Sequence, residues 1–600
     1  MKKTLSLLLV LLLVFACLAM MGASCGKNPS GDNGGNNNNQ GTTGGNGSGT
    51  GEGGKDDGGN TPPTIVPGET VESDVECVNS AWTDSELVIM NINDWSQKRE
   101  LTAGGRAYVS GRNDYTVESA HATNQLLKKV IQRNSDAAAY ANVSLAYSYT
   151  AETSGWGSAY QTIGENIASG VSGMPDVYYD SVYDMVAASI KGYFLNVLGN
   201  EYYHGADETP AAGYNRDYMD VMTFSTKAEY LIASDYSVDI SRSFFVLPVN
   251  MNILTEKAGL VVDDRTGDLV IDVDDFFDVI DKEDWTWDFI AQLCEAVKVE
   301  SAPGEYDITG GIVGMAIDGK AGLAAAGLCY ASELQIITRT IDEVTGEYVY
   351  TYETEGAALS SVAVPLANSI KLTDGFVLNM SDNGYSSSTE AIANAFSEGH
   401  ALIGNVILLG AIEQDVYRSM WDEENDRLGF VCAPMPLYHK GTADAWTYHT
   451  VVHNLAKVFG VVTTVKRTEG KLDRILAFLD YASTHSTEIL DEFYQWTILY
   501  DAANGDEHNV RYLTNMKSKM EYNLDKTVDD ALGCVGSDYF TSEQSFYANT
   551  WHKLLRDGEK GTADDGFGIG AGIVGLYTGL YEVKQNAVVA LQQRFVEVSK

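Results

Sequence analysis

Between residues 87 and 179 the chain alternates extended and helical segments, and that rhythm restricts its fold more than any other feature. Leu87-Val88-Ile89-Met90-Asn91-Ile92 is a short apolar run suited to a buried strand. From Ala120 to Asn134 the apolar residues Leu126, Leu127, Val130 and Ile131 recur at helical spacing. Val143 to Tyr149 alternates like a half-buried strand, Tyr160 to Ser169 is helical again, and Pro175 to Tyr179 reads as a third strand. Strands separated by single helices must run parallel through crossovers, which predicts an α/β sheet covered on both faces. Ligands of such sheets bind beyond the carboxyl ends of the strands, here Asn93 to Trp95 and Tyr178 to Asp180.

The pattern continues without an internal repeat. Lys227 to Asn252 reads as two extended segments. A helix opens at Trp285-Thr286-Trp287 with Thr286 as N-cap and runs through Val299. Ser388 to Glu398 is helical and leads into a strand over Gly399–Asn405. Leu428 to Pro436 is a strand ended by two prolines, and the chain from about Lys471 is mostly helical. Six hundred residues with 44% apolar content suffice for two or more lobes.

The N-terminus is of another kind. Lys2 and Lys3 precede an almost wholly apolar run from Leu5 to Met21, and Gly22-Ala23-Ser24 comes before Cys25. A short basic start, a brief apolar run and small residues at the cut form an export signal rather than a permanent span. Cys25 directly after the small residues is the lipid acceptor expected of a bacterial lipoprotein. Cys17 competes, but its upstream Val14-Phe15-Ala16 is bulkier and cutting there leaves Leu18 to Met21 exposed. Residues 1–24 are thus the signal, and 25–75, rich in Gly, Asn, Ser and Thr, have too little to bury for an ordered core. As a flexible coil, about 50 residues reach on the order of 35–45 Å. The expected location is the outer face of a bacterial cell membrane, held there by the lipid anchor only.

A formal charge of −43, from 83 acidic and 40 basic side chains, repels phosphate backbones and rules against a nucleic-acid partner. After processing, Cys77, Cys294, Cys329, Cys432 and Cys534 remain, an odd and scattered set without a CxxC pair. Several motifs carry no chemistry in their context. Gly570-Ala571-Gly572-Ile573-Val574-Gly575 spells GxGxxG but has no preceding strand and only 25 residues after it. His449 and His453 are four apart, yet Thr450 stands where a zinc peptidase needs Glu. Asp263 to Asp268 lacks the alternating ligands of a calcium loop. No metal, cofactor or catalytic residue is expected.

Six stretches, in order, resemble extracellular solute-binding proteins of carbohydrate ABC importers, the group that includes maltodextrin receptors. They are Leu87 to Asp94, Gly173-Met174-Pro175-Asp176 with the strand after it, Phe244 to Leu254, Trp285-Thr286-Trp287-Asp288, Phe396 to Leu402, and Gly429 to Pro436. The resemblance covers roughly residues 86–500. It implies a two-lobed periplasmic-binding-protein-like α/β fold with hinge-crossing strands, plus the mostly helical C-terminal region. Lobe 1 spans 86–240, lobe 2 spans 241–430, and 431–600 returns to lobe 1 and supplies helices shared between both. It also implies a monomer without enzymatic activity that closes on a sugar or oligosaccharide and is recognised by permease subunits. A sugar needs aromatic platforms for its ring faces and Asp or Asn groups for its hydroxyls. The candidate contacts are Asp94, Trp95, Tyr179, Asp180, Asp235, Tyr236, Asn405, Trp446 and Tyr448. Trp285 and Trp287 are expected in the core. A secreted carbohydrate-active enzyme and a surface glycan-binding or sensor module on the same fold are the alternatives.

Overall fold

A computed structural model describes residues 64–67, 71–91, 122–149, 159–170, 174–317, 337–352, 377–379, 389–441, 445–522 and 524. Within these spans, 208–210, 237, 258, 265–266, 423–426 and 438–440 are excepted. Cys25, Asp94, Trp95 and the glycine motif at 570–575 lie outside the described residues.

The alternation in the sequence becomes a mixed α/β sheet. Strand β1 is Thr64–Pro67, β2 Ser85–Asn91, β3 Val143–Tyr149 and β4 Val177–Ser181. The helices Ala122–Ala141 and Ala159–Ser169 fall between β2 and β3 and between β3 and β4. Strand β2 runs parallel to both β3 and β4, as crossovers demand, and is central to the three. The edge strand β1 is antiparallel to β3. Its position corrects the expected boundary of the Gly/Asn-rich segment, because Thr64-Ile65-Val66 is β-branched and pairs where a disordered chain was expected.

A second sheet is built from later strands. These are β5 (Phe245–Asn250), β8 (Val313–Ile317), β11 (Val377–Asn379), β12 (Ala401–Gly404), β13 (Ile407–Leu408) and β16 (Phe430–Ala433). Their order is β11-β8-β12-β5, with β13 continuing along β5 and β16 on its other side. Three ribbons accompany it: β6 (Leu260–Asp264) with β7 (Gly267–Ile271), β9 (Ile337–Ile341) with β10 (Tyr348–Tyr352), and β14 (Trp421–Asp422) with β15 (Arg427–Leu428). Within the acidic stretch, Asp263 pairs with Asp268 and Asp264 with Gly267. Asn250 caps the next helix, Met251–Glu256, by accepting from Asn252 and Ile253 N–H, and Thr286 caps Trp287–Val297 through Phe289 N–H. Trp285 and Trp287 are buried as expected, and Trp285 Nε1 donates to Pro434 O at 2.9 Å.

The chain then returns. Strand β17 (Thr450–Val452) pairs in parallel with β19 (Met520–Tyr522), so His449 and His453 flank a strand rather than share a helix face. Strand β18 (Lys457–Val461) completes the first sheet, antiparallel to β4. The extended segment expected between Lys227 and Tyr236 forms no strand; it holds to its neighbours by single bridges such as Ile232 with Phe459. Helices over Lys471–Thr484, Thr487–Phe493 and Glu507–Lys517 bear out the helical reading of the described part of the C-terminal region. Asp176 ties these layers together, accepting Val88 N–H at 3.0 Å and pairing with Lys471 at 2.6 Å.

Candidate ligand-binding site

Two segments cross between the sheets, and they pair with each other. The first, ending at Phe244, leads from the first sheet into β5; the second, around β17, leads back into β18. Phe244 bridges Val452 in antiparallel fashion and His453 N–H donates to Ser243 O at 2.7 Å. Register then fixes which sheet edges face this junction. Ser181, the last residue of β4, lies opposite Lys457, the first of β18. Leu408, the last of β13, lies opposite Phe245, the first of β5. Both sheets thus turn the carboxyl ends of β4 and of the β12–β13 strand toward the crossing segments, the edge where α/β sheets bind ligands.

On the first sheet that edge is acidic and closed. Asp180 and Asp184 are both buried. Asp180 Oδ1 accepts from Ser181 N–H at 2.7 Å, and Asp184 Oδ1 accepts from Tyr160 N–H at 3.3 Å. Burial, reinforced by the neighbouring Asp180 charge, pushes the Asp184 carboxyl up to about 7.

The second sheet's edge is different. Asn405 follows β12 with φ of 66° and is buried. Beyond β13 the chain forms a tight turn over Leu409–Glu413 that packs against Tyr494–Ala502. The latter is a π-helix, as the Ala503 N–H bond to Ile498 O shows. It holds Trp496 and Tyr500 on the surface at 46% and 63% exposure, against buried Tyr494, Ile498 and Leu499. Their rings meet edge to face with centroids 5.4 Å apart, within the favourable range for aromatic pairs. Asp501 beside them is paired with Arg418 at 2.8 Å.

The structure sorts the sequence candidates. Tyr179 is a core residue, stacked on Phe459 at 4.6 Å and donating its hydroxyl to Asp239 at 2.6 Å. Tyr236 is buried under the Arg133 guanidinium, 4.1 Å from its ring centre. Tyr448 is buried and donates to Ile280 O at 2.8 Å, so packing and hydrogen bonding account for all three tyrosines. Asp235 accepts from Thr487 at 2.8 Å at the start of a C-terminal helix. Trp446 is half-buried against Tyr448 and Tyr512. Asn405 and Asp180 stand at the carboxyl edges. Trp496 and Tyr500 are not among the sequence candidates; their sequence signal is two aromatic residues four apart. Among the described residues, no group of three or more His, Cys, Asp or Glu side chains is placed to hold a metal. None of their helices is long and apolar enough to cross a membrane.

No protein-family model and no curated protein matches the chain. Solved structures it is similar to include sugar-binding proteins and ABC substrate-binding proteins. The GacH receptor of Streptomyces glaucescens, solved unliganded and with acarbose, is 14% identical, with 84% of this chain and 99% of that chain covered at a TM-score of 0.42. An ABC substrate-binding protein of Listeria monocytogenes in complex with cycloalternan is 11% identical, with 85% and 98% covered and a TM-score of 0.42. A maltose/maltodextrin-binding domain of Bdellovibrio bacteriovorus bound to maltotriose is 10% identical, with 84% and 99% covered, again at 0.42.

Proposed function

We propose that this chain is an extracellular solute-binding protein, anchored by lipid at Cys25, that holds an oligosaccharide between its two sheets and delivers it to the permease of an ABC importer. The two sheets are read as two lobes, and the paired crossing segments as the hinge between them. The observation that carries this reading is the register that turns carboxyl edges of both sheets toward one junction. A solute touching both edges is gripped only when they are close, so binding shifts the population toward closure. The sugar class is supported by the exposed Trp496–Tyr500 pair, because ring faces of sugars pack on aromatic surfaces. The export signal and the Gly/Asn-rich segment that follows it support the anchoring.

The test is a thermal-shift screen of the soluble body against malto-oligosaccharides, other glycans, peptides and polyols. A ligand at 100 times its Kd raises stability by about 2.7 kcal/mol, and Trp496→Ala or Tyr500→Ala should weaken binding with little change in the ligand-free midpoint. A shift with peptides alone, or unchanged glycan affinity in both variants, would sink the sugar assignment. For the anchor, labelling with a radioactive fatty acid should be lost in Cys25→Ala; label retained there would sink that part.

A second reading, a secreted carbohydrate-active enzyme, is favoured by one feature: a carboxyl raised to about 7 beside another carboxylate, as general acids require. Against it, Asp180 and Asp184 are buried and bonded to backbone N–H groups. Product released from a glycan the protein binds would revive it.

A further inference from the structure

The strand that runs from β12 into β13 carries one residue too many. Ile403 lies opposite Val249 and Ile407 opposite Val246. Gly404, Asn405 and Val406 therefore face only Leu247 and Pro248, which makes a β-bulge. Pro248 explains its place: it has no N–H for a ladder, so pairing is already weakened there. On the other side of β5, Cys432 lies opposite Pro248 and gives its N–H to Asn509 Oδ1 at 2.7 Å.

Three unfavourable features fall on the central residue of this bulge. Asn405 has φ of 66°, a left-handed backbone that a β-carbon disfavours. Its side chain is taken out of water, at 2% exposure. Its Oδ1 finds no hydrogen-bond partner among the described residues. Glycine would relieve all three at once, since it adopts positive φ freely and has no amide to desolvate. Gly404 and Val406 offer no polar side-chain atom, so the bulge holds one such group, directly after the carboxyl end of β12. A local rule broken without compensation inside the fold points to a demand from outside it.

We infer that Asn405 is a specificity-determining residue: its Oδ1 accepts a hydrogen bond from a hydroxyl of the bound solute, so that solutes lacking a donor at that point are rejected. This rests on the solute-binding reading above and deepens it, from a general sugar site to one named acceptor. A hydroxyl donor satisfies the buried oxygen, whereas an apolar group or a bare acceptor leaves it unpaired in the complex.

The test uses Asn405→Gly and Asn405→Asp in the full soluble body, with maltotriose as probe. Without ligand, Asn405→Gly should melt at least as high as wild type; a lower midpoint means that the amide is satisfied within the fold, and overturns the inference whatever the protein binds. With maltotriose, isothermal titration should show about tenfold weaker binding for Asn405→Gly, the worth of one such bond. Asn405→Asp keeps the acceptor and the tolerance of positive φ, and its affinity should stay within about threefold of wild type. Equal affinity of wild type and Asn405→Gly overturns the inference while leaving the sugar reading intact. Wild type that ignores maltotriose counts against this sugar, and the ligand-free comparison then decides the fate of Asn405 alone.

Discussion

Replacing Asp184 by Asn should make the protein more stable at neutral pH and leave it unchanged in acid. The Asp184 carboxyl moves from an ordinary 3.8 to about 7, first through burial and second through the Asp180 charge. Three pH units at 1.36 kcal/mol each come to about 4 kcal/mol, an upper figure because part of the shift comes from the neighbouring Asp180 charge rather than from burial. The sign follows from linkage. The folded state binds the proton more tightly than the unfolded chain does, so the stability associated with it is fully present below about 3.8 and is lost as pH rises through about 7. An Asn side chain keeps an acceptor for Tyr160 N–H at Oδ1 and never ionises. Thermal unfolding of residues 26–600 at pH 4, 5.5, 7 and 8.5 reads the difference between variant and wild type, which cancels the titrating groups not coupled to Asp184. We expect no difference at pH 4 and a gain of about 2–4 kcal/mol at pH 8.5, with the change falling between pH 4 and 7. A difference that stays constant across that range would refute the reasoning.

The remaining predictions concern packing and binding. Tyr179→Phe loses the bond to Asp239 and should cost about 1–3 kcal/mol in chemical denaturation, whereas Tyr179→Ala, which also empties the space beside Phe459, should cost about 3–5 kcal/mol. Similar costs for the two would show that the ring does not pack as described. Gly213 has φ of 92°, and a β-carbon there would fall against Ser483 O, so Gly213→Ala should lower the melting midpoint by the equivalent of at least about 2 kcal/mol. Trp496→Ala and Tyr500→Ala should stay within about 0.5 kcal/mol of wild type, as exposed positions do, while glycan binding weakens.

The first sheet was legible because periodicity alone separates its strands from its helices: Leu87 and Ile89 face the core from β2, and Leu126 and Val130 from the helix that follows. The cap at Thr286 was legible from its local sequence, a Thr placed just before the helical run. The site was far less so. Tyr179 lies within β4, near its carboxyl end, but its hydroxyl meets Asp239, sixty residues along, and sequence position carries no trace of that partner. The bulge at Asn405 depends on where Pro248 falls in the pairing, which is a matter of register between distant strands. Tyr494 to Ala502 reads as ordinary helix, and 3.6-residue spacing misplaces the face that carries Trp496 and Tyr500.

Strand β18 reaches β4 only after more than two hundred and seventy intervening residues have been made, the whole second sheet among them. During synthesis, the first sheet therefore waits with the hydrogen-bonding groups of β4 unpaired along one side, a template for joining another nascent chain. If the chain is exported as an unfolded thread, as the proposed function requires, that hazard is sidestepped, since the last strand then arrives before folding is far advanced.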